Sequence, residues 1–436
     1  MPEHYFEIPP LPVLSVVTRP LISAADFQRS AFEFAVSSTP LLWMRNGSGM
    51  VGHHETLRLT FAGADRFKNA SATWKKLVSL AEVDDSVKVP GSGLTAFASF
   101  AFADDSERNS VLVVPRVIIG SMHGAAWVTT VAVKTQNEAA FNSDTAHISP
   151  AAIEELKSAF GETPVASFVE PVGEANAYRD GVHEASLRIG RGEAEKIVLA
   201  RRLQSGLPEG DLRVALARLA NRYTDCWTFS VDGMIGASPE TLIRSIEGRV
   251  SARVLAGTRK RALDPERDVQ MRDELQHSSK ERFEHKLAVD SLVDTLNPYV
   301  LNLQAEADPH LLKLPNVWHL ATDVTADLAH GADVLELAGA VHPTAAVAGT
   351  PTPLAVAAIG ELEPFDRGRY AGAVGWVDAD GDGDFAIALR SAQVDGVGAS
   401  RTITAYAGGG LVAGSDPWHE LTETVAKFRP IIEAFS

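Results

Sequence analysis

From Cys226 to Leu255 the chain reads as strand after strand, each broken at a glycine turn: CWTFSVDGMIGASPETLIRSIEGRVSARVL. Period-two alternation and turn residues of this kind mark strands. KIVLARRLQ, from Lys196, predicts another, and so do VWHLATDVTADL and segments near 371–377, 384–392 and 401–406. Helices are predicted over NAYRDGVHEASLRIGRGE, over one long stretch at 265–296, near 352–362, and at the final segment. The order lacks regular βαβ alternation. It predicts an α+β fold with large, mainly antiparallel sheets. Residues 1–165 read as a β-rich part, with alternation in TLRLTF and apolar runs SVLVVPRVIIG and AAWVTTVAV, interrupted by WKKLVSLAEV. A further helix is read in SPAAIEELKSAF. No linker rich in Gly, Ser or Pro separates this part from residues 172–436, so one structural unit is expected.

With 436 residues, 45% hydrophobic and 22% charged, the chain can bury a large core. Its net charge of −16 argues against nucleic acid and anionic membranes as main partners. A local cluster of cations can still bind an anionic substrate. The single cysteine, Cys226, forbids an intrachain disulfide and suits a reducing cytoplasm. The start, MPEHYFEIPPLPVL, does not read as a signal peptide, and no 18-residue apolar stretch exists to span a membrane.

Some motifs fail their context. Gly47, Gly49 and Gly52 fit G-x-G-x-x-G, but HHETLRLTF follows as a strand, not a helix, so a glycine-rich turn is expected. Asp378–Gly383 opens like a calcium loop, but Leu389 occupies the position of the bidentate Glu, which leaves a hairpin turn. His53-His54 reads as a surface pair, Cys226 as a small buried hydrophobe in a strand, and His285 as a residue orienting its helix.

Two Glu-x-x-Glu pairs carry more. Glu281 and Glu284 share one face of a predicted helix, and so do Glu420 and Glu423. They are either two solvated faces or four carboxylates joined by a hard cation, Mg²⁺ above all. Lys196 heads its strand on the face of Val198 and Ala200; it is a solvated charge, or a base if a closed site lowers its pKa. Glu240 follows an apolar strand and is either an acid of raised pKa or the start of a turn. Ala256-Gly257-Thr258 can offer backbone N–H groups and a hydroxyl to an anion. Arg390, in the apolar strand FAIALRSA, needs a partner that a ligand carboxylate can supply. The loop Gly408–Gly410 permits close backbone approach. Lys427 falls four residues after Glu423, as a surface pair also would.

At these segments the chain resembles the chorismate-using enzymes that include isochorismate, salicylate, anthranilate and aminodeoxychorismate synthases. The resemblance covers 172–427 and rests on KIVLARR, ASPETL, VLAGTRKR, SSKERFEHKLAV, VWHLATDV, HPTAAVAGTP, RGRYAGAVGW, GDGDFAIALRSA, AGGGLVAGSDP and ExxETxxK, in family order. It implies two large stacked sheets surrounded by helices. It implies that Glu281, Glu284, Glu420 and Glu423 hold Mg²⁺ and the ring carboxylate of chorismate. Arg390, Lys427 and the backbone of Gly408 and Gly410 help to neutralise that dianion. Tyr370 and Arg390 match contacts to the enolpyruvyl carboxylate, His319 a site histidine, and Gly257 and Thr258 ligand-facing positions.

Single residues then point to one member. Lys196 stands where anthranilate synthases resembling this chain carry Gln, which favours water over ammonia as nucleophile. Ala256 replaces the nucleophilic lysine of aminodeoxychorismate synthases. Ala346, in HPTAAVAGTP, is Thr in salicylate-forming relatives. The expectation is therefore Mg²⁺-dependent isomerisation of chorismate to isochorismate, with Lys196 as general base and Glu240 as general acid, in a cytoplasmic monomer with no glutaminase subunit. The alternatives are a salicylate synthase, an aminating member, or a chorismate-binding homologue without catalysis. Both menaquinone and siderophore pathways draw on isochorismate.

Overall fold

The structure, a computed structural model, describes residues 8–21, 27, 30–122, 124–134, 150–313 and 317–436. The chain divides into two compact units. The first comprises Met1–Glu240, His342–Ala379 and Ala386–Ser436; the second comprises Thr241–Val341 and Asp380–Phe385. Mainly antiparallel strands with helices against them make up both, which is the α+β architecture expected.

In the first unit a run of antiparallel pairs starts at Lys196–Gly206. It passes through Thr402–Leu411, Ser391–Asp395, Met234–Ser238 and Trp227–Val231 to Leu41–Arg45. Ser48–Phe61 and Ser110–Met122 continue it. The N-terminal strands thus share one ladder with strands of the C-terminal half. The turn at Asn46-Gly47, inside the glycine motif, joins Leu41–Arg45 to Ser48–Phe61, as a hairpin turn and not a nucleotide loop. Leu42, Ile235, Ile403, Phe428 and Phe435 lie in its main apolar core, and half-buried Cys226, just ahead of its strand, packs against that core.

The second unit pairs Thr241–Ile246 with Arg249–Lys260, and that strand with Val317–Leu328. Val300–Ala305 and His310–Lys313 pair with Val317–Leu328 in turn. The predicted long helix is two: Pro265–His277 and Ser279–Leu296. The break falls at Ser278, whose hydroxyl accepts from the N–H of Glu281 and caps the second helix. No helix among the described residues is long and apolar enough to cross a membrane.

Strands Gly383–Ile387 and Ser391–Asp395 are separate. Arg390 therefore lies in the bend between them, not inside a strand, with φ +48°. The backbone turns there because Leu389 N–H donates to Ile387 O (2.7 Å) and the Ser391 hydroxyl to Ala388 O (2.9 Å). Gly408–Gly410 also departs from expectation: these residues belong to the strand Thr402–Leu411 rather than to a loop.

His342 is buried against the rings of Phe67 and Phe102, and its Nε2–H donates to Ala371 O (3.0 Å). Burial pushes its pKa down to about 4. The unfolded histidine titrates near the ordinary value of about 6.5 and binds its proton first, so stability is present above that value and is lost as pH falls towards 4. Between pH 7 and pH 5 this histidine should account for about 2 kcal/mol of lost stability. Urea unfolding of the protein and of His342→Gln at both pH values measures it; the variant should show a correspondingly smaller loss.

Candidate active-site residues

The strand Lys196–Gly206 places the first site residue. On one edge it pairs with Thr402–Leu411, in a register that sets Gly408 opposite Ala200, Gly409 opposite Leu199 and Gly410 opposite Val198. These three glycines leave the strand bare where other groups must approach. A Cβ on Gly408 would stand 2.5 Å from Leu199 O, and one on Gly410 would stand 2.7 Å from Lys196 Cε. Real side chains do not pack so closely, so the lysine lies across Gly410 because nothing projects there.

The other edge is closed largely by side chains. Gly349–Thr350 pairs with Lys196 and Ile197, and Val198 N–H donates to Ala348 O (2.9 Å). Beyond that point a buried ion pair takes over. Arg367 donates to Val198 O (2.8 Å), Glu363 accepts from Ala200 N–H (2.7 Å), and the two join at 2.5 Å. Arg367 also donates to Val347 O (2.9 Å), which ties down the exposed Ala346 segment. Each charge satisfies a backbone group that a missing strand would otherwise satisfy. Removing one partner leaves the other charged and buried. Glu363→Ala should therefore lower unfolding free energy by about 3–5 kcal/mol in urea titration; a change below about 1 kcal/mol contradicts this account.

Lys196 and Glu240 shift towards each other. Burial pushes the Lys196 pKa down, with Lys427 adding to the shift, while Glu240 opposes it. Burial pushes Glu240 up, while Lys196 and Arg390 oppose that shift. Each of the two thus lies within the other's electrostatic field. Glu240 is fixed by its backbone: its carbonyl accepts from Ile387 N–H (3.0 Å), and its N–H donates to the Ser238 hydroxyl (3.3 Å), which donates to Ile387 O (2.5 Å). Arg390, half-buried, holds its left-handed backbone with its carbonyl accepting from Ala237 N–H (3.2 Å). A non-glycine residue in that region carries strain that the surrounding ladder must overcome. Tyr370 is buried and stacked on Tyr406, with ring centroids 5.0 Å apart, and burial pushes its pKa up to about 12. It is a neutral hydroxyl at any ordinary pH.

The last helix, Pro417–Ala434, starts at Asp416, whose carboxylate caps His419 N–H (2.8 Å). It is locked to the Lys196 strand by Arg201, which donates to the Thr424 hydroxyl (2.7 Å) and lies over the Phe428 ring. This registration brings Lys427 Nζ to Gly408 O (2.8 Å) and to Glu423 (2.7 Å). Glu420 is half-buried, and burial followed by repulsion from Glu423 pushes its carboxyl up. A hard cation would relieve that pair.

In the second unit, Gly257 takes φ +81°, and a Cβ there would stand 3.2 Å from Glu281 Oε2. Glu281 is half-buried and Glu284 exposed on the helix Ser279–Leu296. His285 is buried, with Nδ1 donating to Ala256 O (3.0 Å) and Nε2 accepting from the Thr322 hydroxyl (2.8 Å). Both nitrogens are used, so it orients the helix as expected. Half-buried His319 pairs with position 258 across the bulge at Ala256/Thr258. The side chain of Thr258 lies outside the described residues.

Three groups had no role in the sequence reading. Glu363 and Arg367 look like an ordinary i,i+4 helix pair, and nothing local reveals the strand edge they close. Tyr178 registers only as part of an apolar helical face. Glu306, His310 and Asp323 cluster in the second unit, but Arg253 binds Asp323 at both oxygens (2.5 and 2.8 Å), and Glu306 accepts from His310 and Asp323 N–H. Those hydrogen bonds already engage both carboxylates of the cluster.

Comparison with known proteins adds an independent line. A sequence model described as chorismate binding enzyme matches residues 24–436. The isochorismate synthase DhbC of Bacillus subtilis is 39% identical over 279 residues, covering 61% of this chain and 69% of that protein. The isochorismate synthase EntC of Escherichia coli is 32% identical over 272 residues, covering 61% and 68%. The structure of MenF, the menaquinone-specific isochorismate synthase of Escherichia coli, superposes with a TM-score of 0.74 over 99% of this chain and 97% of that one. At 24% identity this last likeness speaks for the fold.

Proposed function

The chain belongs to the chorismate binding enzyme family, and on that premise we propose that it converts chorismate to isochorismate. The observation that carries this reading is the pair of opposed shifts at Lys196 and Glu240, one base pulled down and one acid pulled up in the same unit. Environments that push two titratable groups towards each other suit acid–base work near neutral pH. The names of relatives such as DhbC and EntC support the same product.

In this reading neutral Lys196 takes a proton from water as the water oxygen bonds to C2. Protonated Glu240 gives its proton to the hydroxyl leaving C4, and both ring double bonds shift by one position, C1=C2 to C1=C6 and C5=C6 to C4=C5. One water enters and one leaves, so the reaction is an isomerisation. The half-buried Arg390 and Tyr370 would hold the enolpyruvyl carboxylate, one by charge and one as a neutral donor. Lys427 and the backbone of Gly408 and Gly410 would face the remaining anion, with Ala346 leaving room beside it.

We assign Mg²⁺ as cofactor, with Glu420 and Glu423 as ligands and Glu281 and Glu284 assigned to the same role by the family resemblance. Their ligand atoms are all oxygen, which suits this ion over softer ones, and it would supply charge stabilisation at the ring carboxylate. Gly257, Thr258 and His319 remain candidate substrate contacts.

Incubation with chorismate and Mg²⁺, without ammonium, should yield isochorismate by chromatography and mass. Salicylate with pyruvate as the main product would show the lyase alternative instead. Lys196→Ala and Glu240→Gln should each reduce kcat by about 10²–10⁴, with chorismate affinity within a few fold in both. The kcat/KM profile should be bell-shaped, its limbs belonging to the coupled pair. A Lys196→Ala enzyme of wild-type rate would remove the base from the mechanism.

A further inference from the structure

Gly409 is buried in the strand Thr402–Leu411. A Cβ there would meet three polar groups: Glu420 Oε2 at 3.2 Å, the Tyr178 hydroxyl at 3.6 Å and Lys427 Nζ at 3.9 Å. Tyr178 is 3% exposed, and its hydroxyl has no hydrogen-bond partner. It comes from the helix Glu174–Gly190, while Glu420 and Lys427 come from Pro417–Ala434. An acceptor, a hydroxyl and an ammonium thus converge, from two helices, on a space that glycine alone keeps clear. A buried polar space with two to four partners is where proteins hold an internal water. Water fits the chemistry, because it donates to a carboxylate while accepting from an ammonium and a phenol.

We infer that Gly409 leaves a site for one water molecule, which donates to Glu420 and accepts from Lys427 and Tyr178, and that through it Tyr178 is a positioning residue for Glu420. Hydrogen bonds of this outer kind fix the direction in which a carboxylate presents its oxygens to an ion. The water site stands on the geometry alone, whereas its effect on ion binding rests on the Mg²⁺ reading of Glu420.

Two measurements separate these parts. A high-resolution crystal structure of the metal-free protein should show water density above Gly409, absent in Gly409→Ala. That substitution is tolerable, because Gly409 has no positive φ and its new methyl meets only side-chain ends. A wild-type crystal without this water overturns the site. Mg²⁺ titrated alone by calorimetry should bind Tyr178→Phe and Gly409→Ala about tenfold more weakly than wild type. Tyr178→Phe should unfold within a few degrees of wild type, since its ring packing stays and only one hydrogen bond, to the water, is lost. Unchanged Mg²⁺ affinity in Tyr178→Phe, with wild type binding, overturns the positioning role. A wild type that binds no Mg²⁺ overturns the cofactor assignment instead, and the crystal still decides the water.

Discussion

The arrangement of the first unit depends on two strands meeting where one has no side chains. Gly408–Gly410 runs against Val198–Ala200, and the absence of three Cβ atoms lets Lys196 lie across Gly410 and Glu420 approach Gly409. A methyl on Gly408 would strike the Leu199 carbonyl, so the ladder and the site share one requirement. The Glu363–Arg367 pair then holds the far edge of the lysine strand. Lys196 is packed between these constraints, and its burial there lowers its pKa.

Burial acts in one direction throughout this unit: it disfavours charge. It pushes Lys196 down and pushes Glu240, Glu420 and Tyr370 up. Arg390 lies close enough to oppose the shift of Glu240. The chain as a whole carries −16, yet the residues proposed to meet the substrate include Lys196, Arg390 and Lys427. Local placement, not net charge, decides what this surface attracts.

Much of this was legible in the sequence where periodicity and turn residues agree. The strand opening at Lys196, the strand Val317–Leu328 and the helix Thr352–Leu362 fall where the pattern puts them. The break at Ser278 also had a signal, since Ser278 with Glu281 three residues on has the spacing of a capping box, but strong helix formers on both sides masked it. The bend at Arg390 had none: no glycine or proline marks it, and only the surrounding ladder forces a left-handed arginine. The glycine run misled because Gly usually ends strands, whereas here tertiary contacts require a strand without side chains. The role of Glu363 and Arg367 was invisible for a related reason: their partners lie at Val198 and Ala200, far along the chain.

The central claim is that water, activated at Lys196, becomes the new hydroxyl while the old one departs. Running the reaction in ¹⁸O-labelled water and weighing the product tests this most directly. The account predicts isochorismate carrying one labelled oxygen, at C2, and none in chorismate at early times. Isochorismate formed without label would contradict it, because the hydroxyl would then have migrated without solvent water entering the bond.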